Sequence, residues 1–139
     1  MTVRILSSKK TQILNSEDIY KIMQQVLLRE SKIRRSQEHF WVAGLNTANE
    51  LLFIELVSLG SSNRFNVTAS EVFRIAIYKL ATGIILIHNH PSGSMAISKE
   101  DKKFTQRMKS AGKILGIKVL DHLIISEKEW ASFADEGWL

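Results

Sequence analysis

Two histidines two residues apart, His88 and His90, stand at the end of a short apolar run, with Ser98 and Asp101 close behind them. The stretch from Gly83 to Asp101 reads GIILIHNHPSGSMAISKED. Two imidazoles and one carboxylate are a common ligand set for catalytic zinc, with the fourth position left to water. In extended backbone, residues two apart point the same way. Both imidazoles therefore face one side, and Asn89 faces the other, where it would orient a neighbour. Asp101 lies in the first turn of the helix that follows and is placed to converge on the same point. The candidate ligands are thus His88, His90 and Asp101, holding one zinc per chain. Ser98 and Asp101 also match the S-x-x-D/E capping pattern. A capping box accounts for those two residues but leaves the histidine pair unexplained, so capping is an additional role for Ser98.

The elements that must position these groups follow from local pattern. Ile84, Ile85, Leu86 and Ile87, bounded by glycine and proline, read as a strand buried on both faces. Pro91 to Ser94 end it in a turn. A helix then runs from Ser98 to about Leu115, with Phe104, Met108, Ala111, Ile114 and Leu115 as its apolar stripe. Lys99, Lys102, Gln106, Lys109 and Lys113 line its other face, as solvated basic stripes do.

Further back, a helix starts at Asn15 or Ser16 and buries Ile19, Ile22, Met23, Val26 and Leu27. It ends near Arg29–Ile33, where Arg29, Lys32, Arg34 and Arg35 complement the helix C-terminus or meet an acidic or phosphate partner. Val3 and Ile5 suggest a short edge strand. Glu38–Leu45 and Leu51–Gly60 read as strands joined by a hairpin turn at Asn46–Asn49, the second central in the sheet. Thr68 and Glu71 form a capping box for a helix to about Ala81, burying Val72, Phe73, Ala76, Ile77 and Leu80. Gly83 suits a left-handed stop after it. Ile117–Ser126 is another strand. The tail is expected to form a short helix that packs Trp130, Phe133 and Trp138 on the body. This order predicts an α/β fold, a mixed sheet covered by helices on both faces.

Composition bounds the rest. A chain of 139 residues with 45% hydrophobic and 24% charged residues suits one soluble domain. Residues 1–35 form an N-terminal extension and helix, and 36–139 the core. No apolar run approaches the roughly 20 residues that span a bilayer, so no membrane partner is expected. The N-terminus lacks a secretory pattern and there is no cysteine, which fits a reducing cytoplasm and leaves any metal to nitrogen and oxygen ligands. The net charge of +5 permits an acidic partner or nucleic acid.

His88-Asn89-His90, Ser98 and Asp101 fit the H-x-H-x7-S-x2-D spacing of the JAMM/MPN+ metalloprotease motif. The run HNHPSG, with DHLIIS at Asp121 to Ser126, resembles the RadC-type branch of that family. The resemblance covers the chain from about Ser36 onward. It implies a three-layer α/β/α sandwich similar to cytidine deaminases in layout. RadC-type proteins often carry an N-terminal helical DNA-binding region, and only about 35 residues precede the match, so that module is expected to be missing.

The resemblance also implies chemistry. Metal-activated water needs a general base, and spacing leaves Glu38, Glu50, Glu55 and Glu71 open. JAMM enzymes place a catalytic glutamate just before the first core strand, the position of Glu38 in EHFWV. Glu38 is therefore the implied general base, and Ser98 the implied donor to the oxyanion. Asp121 and His122 are candidates to support the ligands from behind, but a lone histidine in an apolar strand is more often structural, so His122 stays outside the ligand set. His39 alternates to the opposite strand face and receives no role. The resulting expectation is a zinc-dependent peptidase or isopeptidase acting on a protein or peptide. The alternative is a DNA-associated module, linked to DNA repair or mobile elements, with little or no hydrolysis. The letters His-Asn-His do not signal an HNH nuclease, whose residues spread over a longer ββα-metal motif.

Overall fold

The computed structural model describes residues 2–3, 11–60 and 66–139. Six strands form one mixed sheet in the order β1-β3-β2-β4-β5-β6. They are β1 (Thr2–Val3), β2 (His39–Leu45), β3 (Leu51–Leu59), β4 (Gly83–Asn89), β5 (Lys118–Ile125) and β6 (Trp130–Ser132). The helices are α1 (Ser16–Leu28), α2 (Lys32–Arg35), α3 (Ala69–Tyr78) and α4 (Lys99–Leu115). Among the described strands only β4 and β5 pair in parallel, joined across the sheet face by α4. All other strand pairs are antiparallel.

Every residue of β2 and of β4 is buried, as their near-continuous apolar runs require. One sheet face packs α1 through Ile19, Met23 and Leu27 against Trp41, Ile85, Ile87 and Leu123. The other packs α3 and α4 through Val72, Phe73, Phe104 and Met108 against Phe40, Val42, Ile84 and Leu86. Two separate cores, one on each side of the sheet, make the three-layer α/β/α sandwich.

Several expectations need correction. β3 is not central: among the described residues its outer side meets only Thr2–Val3 and the Gln12–Glu50 bridge. Its second half is accordingly only half-buried. The helix α3 ends at Tyr78, and Ile77 and Leu80 are exposed. The left-handed residue after it is Leu80 (φ 59°), not Gly83. Gly83 is needed for another reason: a Cβ there would stand 2.7 Å from Leu120 Cδ1 on the neighbouring strand. On α4, Ile114 and Leu115 are exposed, while Thr105 and Gly112 are buried in their place. Lys32, Arg34 and Arg35 sit on a separate short helix, where Arg34 pairs with Glu30 and Arg35 with Glu127. The tail forms β6 rather than a helix, pairing Trp130–Ser132 with β5. Phe133 is fully buried and Trp130 stacks on Tyr20, but Trp138 is half exposed beneath Lys102. The expected edge-strand residue Ile5 and most of the loop at 60–63 lie outside the described residues.

Candidate metal centre

β4 delivers its last residues to the end of the sheet where α4 begins. His88 is the sixth residue of β4 and shares the face of Ile84 and Leu86, so its ring lies under α4, fully buried. His90 follows the strand, its amide donating to Ile125 O at 3.1 Å, and is half-buried. Ser98 caps α4: its hydroxyl accepts Asp101 N at 3.0 Å while Asp101 Oδ2 accepts Ser98 N at 3.3 Å. That reciprocal cap uses one carboxylate oxygen of Asp101. The other, Oδ1, lies 3.9 Å from His88 Nε2.

Three potential ligand atoms from His88, His90 and Asp101 lie within 4.8 Å of one another. The two Nε2 atoms are 3.0 Å apart. His90 Nδ1 lies 2.7 Å from the carbonyl of Ser94. A carbonyl only accepts, so Nδ1 carries a hydrogen, which leaves Nε2 as the ring's ligand atom toward the cluster. Asp101 is 1% exposed, so this carboxylate is withdrawn from water. Two nitrogens and a buried carboxylate oxygen converging on one point fit a divalent cation.

The other predicted residues are placed as follows. Phe40 pairs with His88 across the β2–β4 ladder, so continuing the register sets Glu38 beside His90. Glu38 shares the parity of Phe40 and hence the face of His88. It is half-buried, and its carbonyl accepts Gly60 N at 2.9 Å. Glu50 lies beyond the other end of β2, in the hairpin, bonded to Asn46. That is roughly 20 Å of strand away from Glu38. Glu71 is exposed in the first turn of α3, where its amide donates to the Thr68 hydroxyl. His39 stacks on Trp41 and faces α1, as alternation requires.

Asn89 points to the opposite face from His88 and holds the chain ahead of β2. Its Oδ1 accepts His39 N at 2.6 Å, and its Nδ2 donates to Gln37 O at 3.1 Å. His122 lies behind the cluster of His88, His90 and Asp101, its Nε2 2.7 Å from His88 Nδ1. Asp121 is not behind the cluster. It faces the other way and accepts from His122 N, Ala134 N and the Ser132 hydroxyl, bracing the C-terminal segment. Burial pushes its carboxyl above the usual range, against the lowering effect of those three bonds. Thr105 follows Asp101 by one helical turn, and no motif in the sequence marks it. An open groove of about 700 Å³ runs beside His90, between the 89–93 segment, α2 and the loop at 126–129.

An α/β/α sandwich with a two-histidine, one-aspartate cluster where a central strand meets its crossover helix defines a class of domains carrying a candidate metal pocket. The chain belongs to the RadC-like JAB domain family, whose pattern it matches over residues 13–138. It is 48% identical over 101 residues to a UPF0758 protein of Desulforudis audaxviator, covering 73% of this chain and 44% of that one. Against a UPF0758 protein of Caldanaerobacter subterraneus the identity is 47% over 112 residues, with 81% and 48% covered. A UPF0758 protein of Methanosarcina barkeri is 39% identical over 130 residues, with 94% and 55% covered. The chain spans about half the length of the curated relatives it matches. No helix among the described residues is long and apolar enough to cross a membrane.

Proposed function

We propose that this domain is a zinc-dependent peptidase or isopeptidase. The observation that carries the reading is the convergence of His88, His90 and Asp101 within 4.8 Å. Nitrogens each about 2.0–2.1 Å from a tetrahedral zinc stand roughly 3.3 Å apart, close to the observed 3.0 Å between the two Nε2 atoms. Zinc held there would act as a Lewis acid, bringing the pKa of a bound water to about 7 and polarising a carbonyl.

The chain's own groups supply the remaining steps. Glu38, beside His90 on the ligand face, takes a proton from the attacking water. Hydroxide adds to the carbonyl carbon, and Glu38 returns the proton to the departing amine as the C–N bond breaks. The Ser98 oxygen accepts Asp101 N, which leaves its own hydrogen to donate to the oxyanion. An extended peptide over the 91–97 turn would have the groove beside His90 for its side chains.

The test incubates wild-type and Glu38→Gln protein with peptide and isopeptide-linked libraries, with and without a zinc chelator. Cleavage by the wild type alone, abolished by chelator and restored by zinc, is the expected result. Cleavage that persists in Glu38→Gln or under chelation refutes the mechanism. Salt-sensitive DNA binding with no cleavage in any library favours the DNA-associated reading instead.

A further inference from the structure

The geometry points to His122 and Thr105 as positioning residues that orient the metal ligand His88, an inference that rests on reading His88, His90 and Asp101 as a metal centre. The bonds start on α4, where the Thr105 hydroxyl donates to the carbonyl of Asp101 at 2.8 Å. A hydroxyl has one hydrogen, and a carbonyl only accepts. The same oxygen lies 2.7 Å from His122 Nδ1. With its hydrogen on the Asp101 carbonyl, Thr105 accepts there and His122 Nδ1 donates. A neutral imidazole protonated at Nδ1 is bare at Nε2. That Nε2 lies 2.7 Å from His88 Nδ1, so His88 is the donor in that bond.

His88 therefore presents an unprotonated Nε2 to the cluster, 3.0 Å from His90 Nε2. With no hydrogen between them, both lone pairs are left to point at one cation. His122 and Thr105 thus set which nitrogen of His88 faces the ion, and hold that ring in place. The bonds begin and end on the ligands, because the carbonyl that accepts from Thr105 belongs to Asp101. His88, His122 and Thr105 are each at most 1% exposed, so water is excluded as a substitute partner. Phe133 stacks on the His122 ring at 4.4 Å and fixes its plane. Residues standing behind a metal-bound histidine fix its tautomer and orientation in this manner.

Two readouts test the assignment on the full chain. Long-range 1H–15N NMR spectra of the metal-free wild type should show the Nδ1-protonated tautomer for both His88 and His122. Zinc affinity, measured by competition with a chromophoric chelator, should fall about 10–100-fold in His122→Phe and recover to within a few-fold in His122→Gln. Gln keeps an acceptor near the Nε2 position, and Phe keeps only the shape. The visible spectrum of the cobalt-substituted protein should change in His122→Phe, a shift that a purely packing role leaves untouched. Thr105→Val should weaken zinc binding in the same direction, and Thr105→Ser should restore it, so a His122→Phe chain that fails to fold leaves the pair at 105 to decide. Equal zinc affinity in wild type and Thr105→Val, or Nε2-protonated His88, overturns the inference alone. A wild-type chain that binds no zinc overturns the metal-centre reading itself.

Discussion

The side-chain oxygen of Asn89 accepts the backbone amide of His39 at 2.6 Å, across the two central strands of the sheet. With the bond from Asn89 Nδ2 to Gln37 O it brackets Glu38 from both sides. A residue between the two histidines, on the opposite face, thus holds the segment that carries the proposed base. Asn89→Ala should leave zinc content near one per chain while turnover falls. The buried His39 amide would lose its partner, at a cost of about 1–3 kcal/mol in denaturant unfolding. Loss of zinc in this variant would show instead that Asn89 supports the histidines.

Ser98 has two separable duties. Ser98→Ala removes the cap of α4 and the proposed oxyanion donor together. It should cost about 1 kcal/mol of stability and about 10²–10³-fold in kcat. Glu38→Gln should lose the activity with stability and zinc content unchanged. An unfolded Glu38→Gln chain would make Glu38 structural and place the base elsewhere.

Metal analysis of the purified chain should give about one zinc, and replacing both His88 and His90 by alanine should abolish it. Chelation should lower Tm, because an ion bound only to the native state stabilises it. Undiminished zinc in the double variant would remove the ligand assignment.

Asp121 gives a prediction in pH. Burial raises its carboxyl in the native state above the ordinary 3.8, so the folded chain holds that proton more tightly than the unfolded one. The stabilisation is fully present below 3.8 and is lost as pH rises through the native value. Asp121→Asn removes the titration. Its unfolding free energy should vary less with pH just above 3.8 than that of the wild type. Urea unfolding across a pH series checks this, and an unaltered slope would assign the pH dependence to other groups.

Gly112 tests the fold apart from the site. A Cβ there would run into the backbone carbonyl of Ile117 and stand 3.2 Å from the Phe73 ring. Gly112→Ala should destabilise by about 1–3 kcal/mol with zinc affinity preserved. A neutral result would mean that the turn into β5 gives way easily.

Much of the fold is legible in the chain because its signals are local. Alternation alone puts His88 and Asn89 on opposite faces, and the apolar runs Trp41–Leu45 and Ile84–Ile87 announce strands covered on both sides. The cap at Ser98 is written in four residues, and the family motif points to the candidate site. The errors fall where neighbours decide. β3 is as apolar as a central strand, yet the described chain lays only short segments along its outer side. Ile77 and Ile114 fit helical periodicity but lie where no described element covers them.

His122 is the clearest case of what tertiary structure alone decided. In sequence it is one polar residue in an apolar strand, indistinguishable from a histidine satisfied by packing. Its meaning depends on the parallel register of β5 with β4, which pairs His122 with Leu86, two residues before His88 on the same face, and on α4, which brings Thr105 down onto its other nitrogen. No local rule encodes a register between strands separated by a helix, because hydrogen-bond ladders form equally well at any offset and only the packing of both faces selects one. Residue types could thus name the candidate ligands, while the order of the bonds that aim them exists only once the sheet has closed beneath α4.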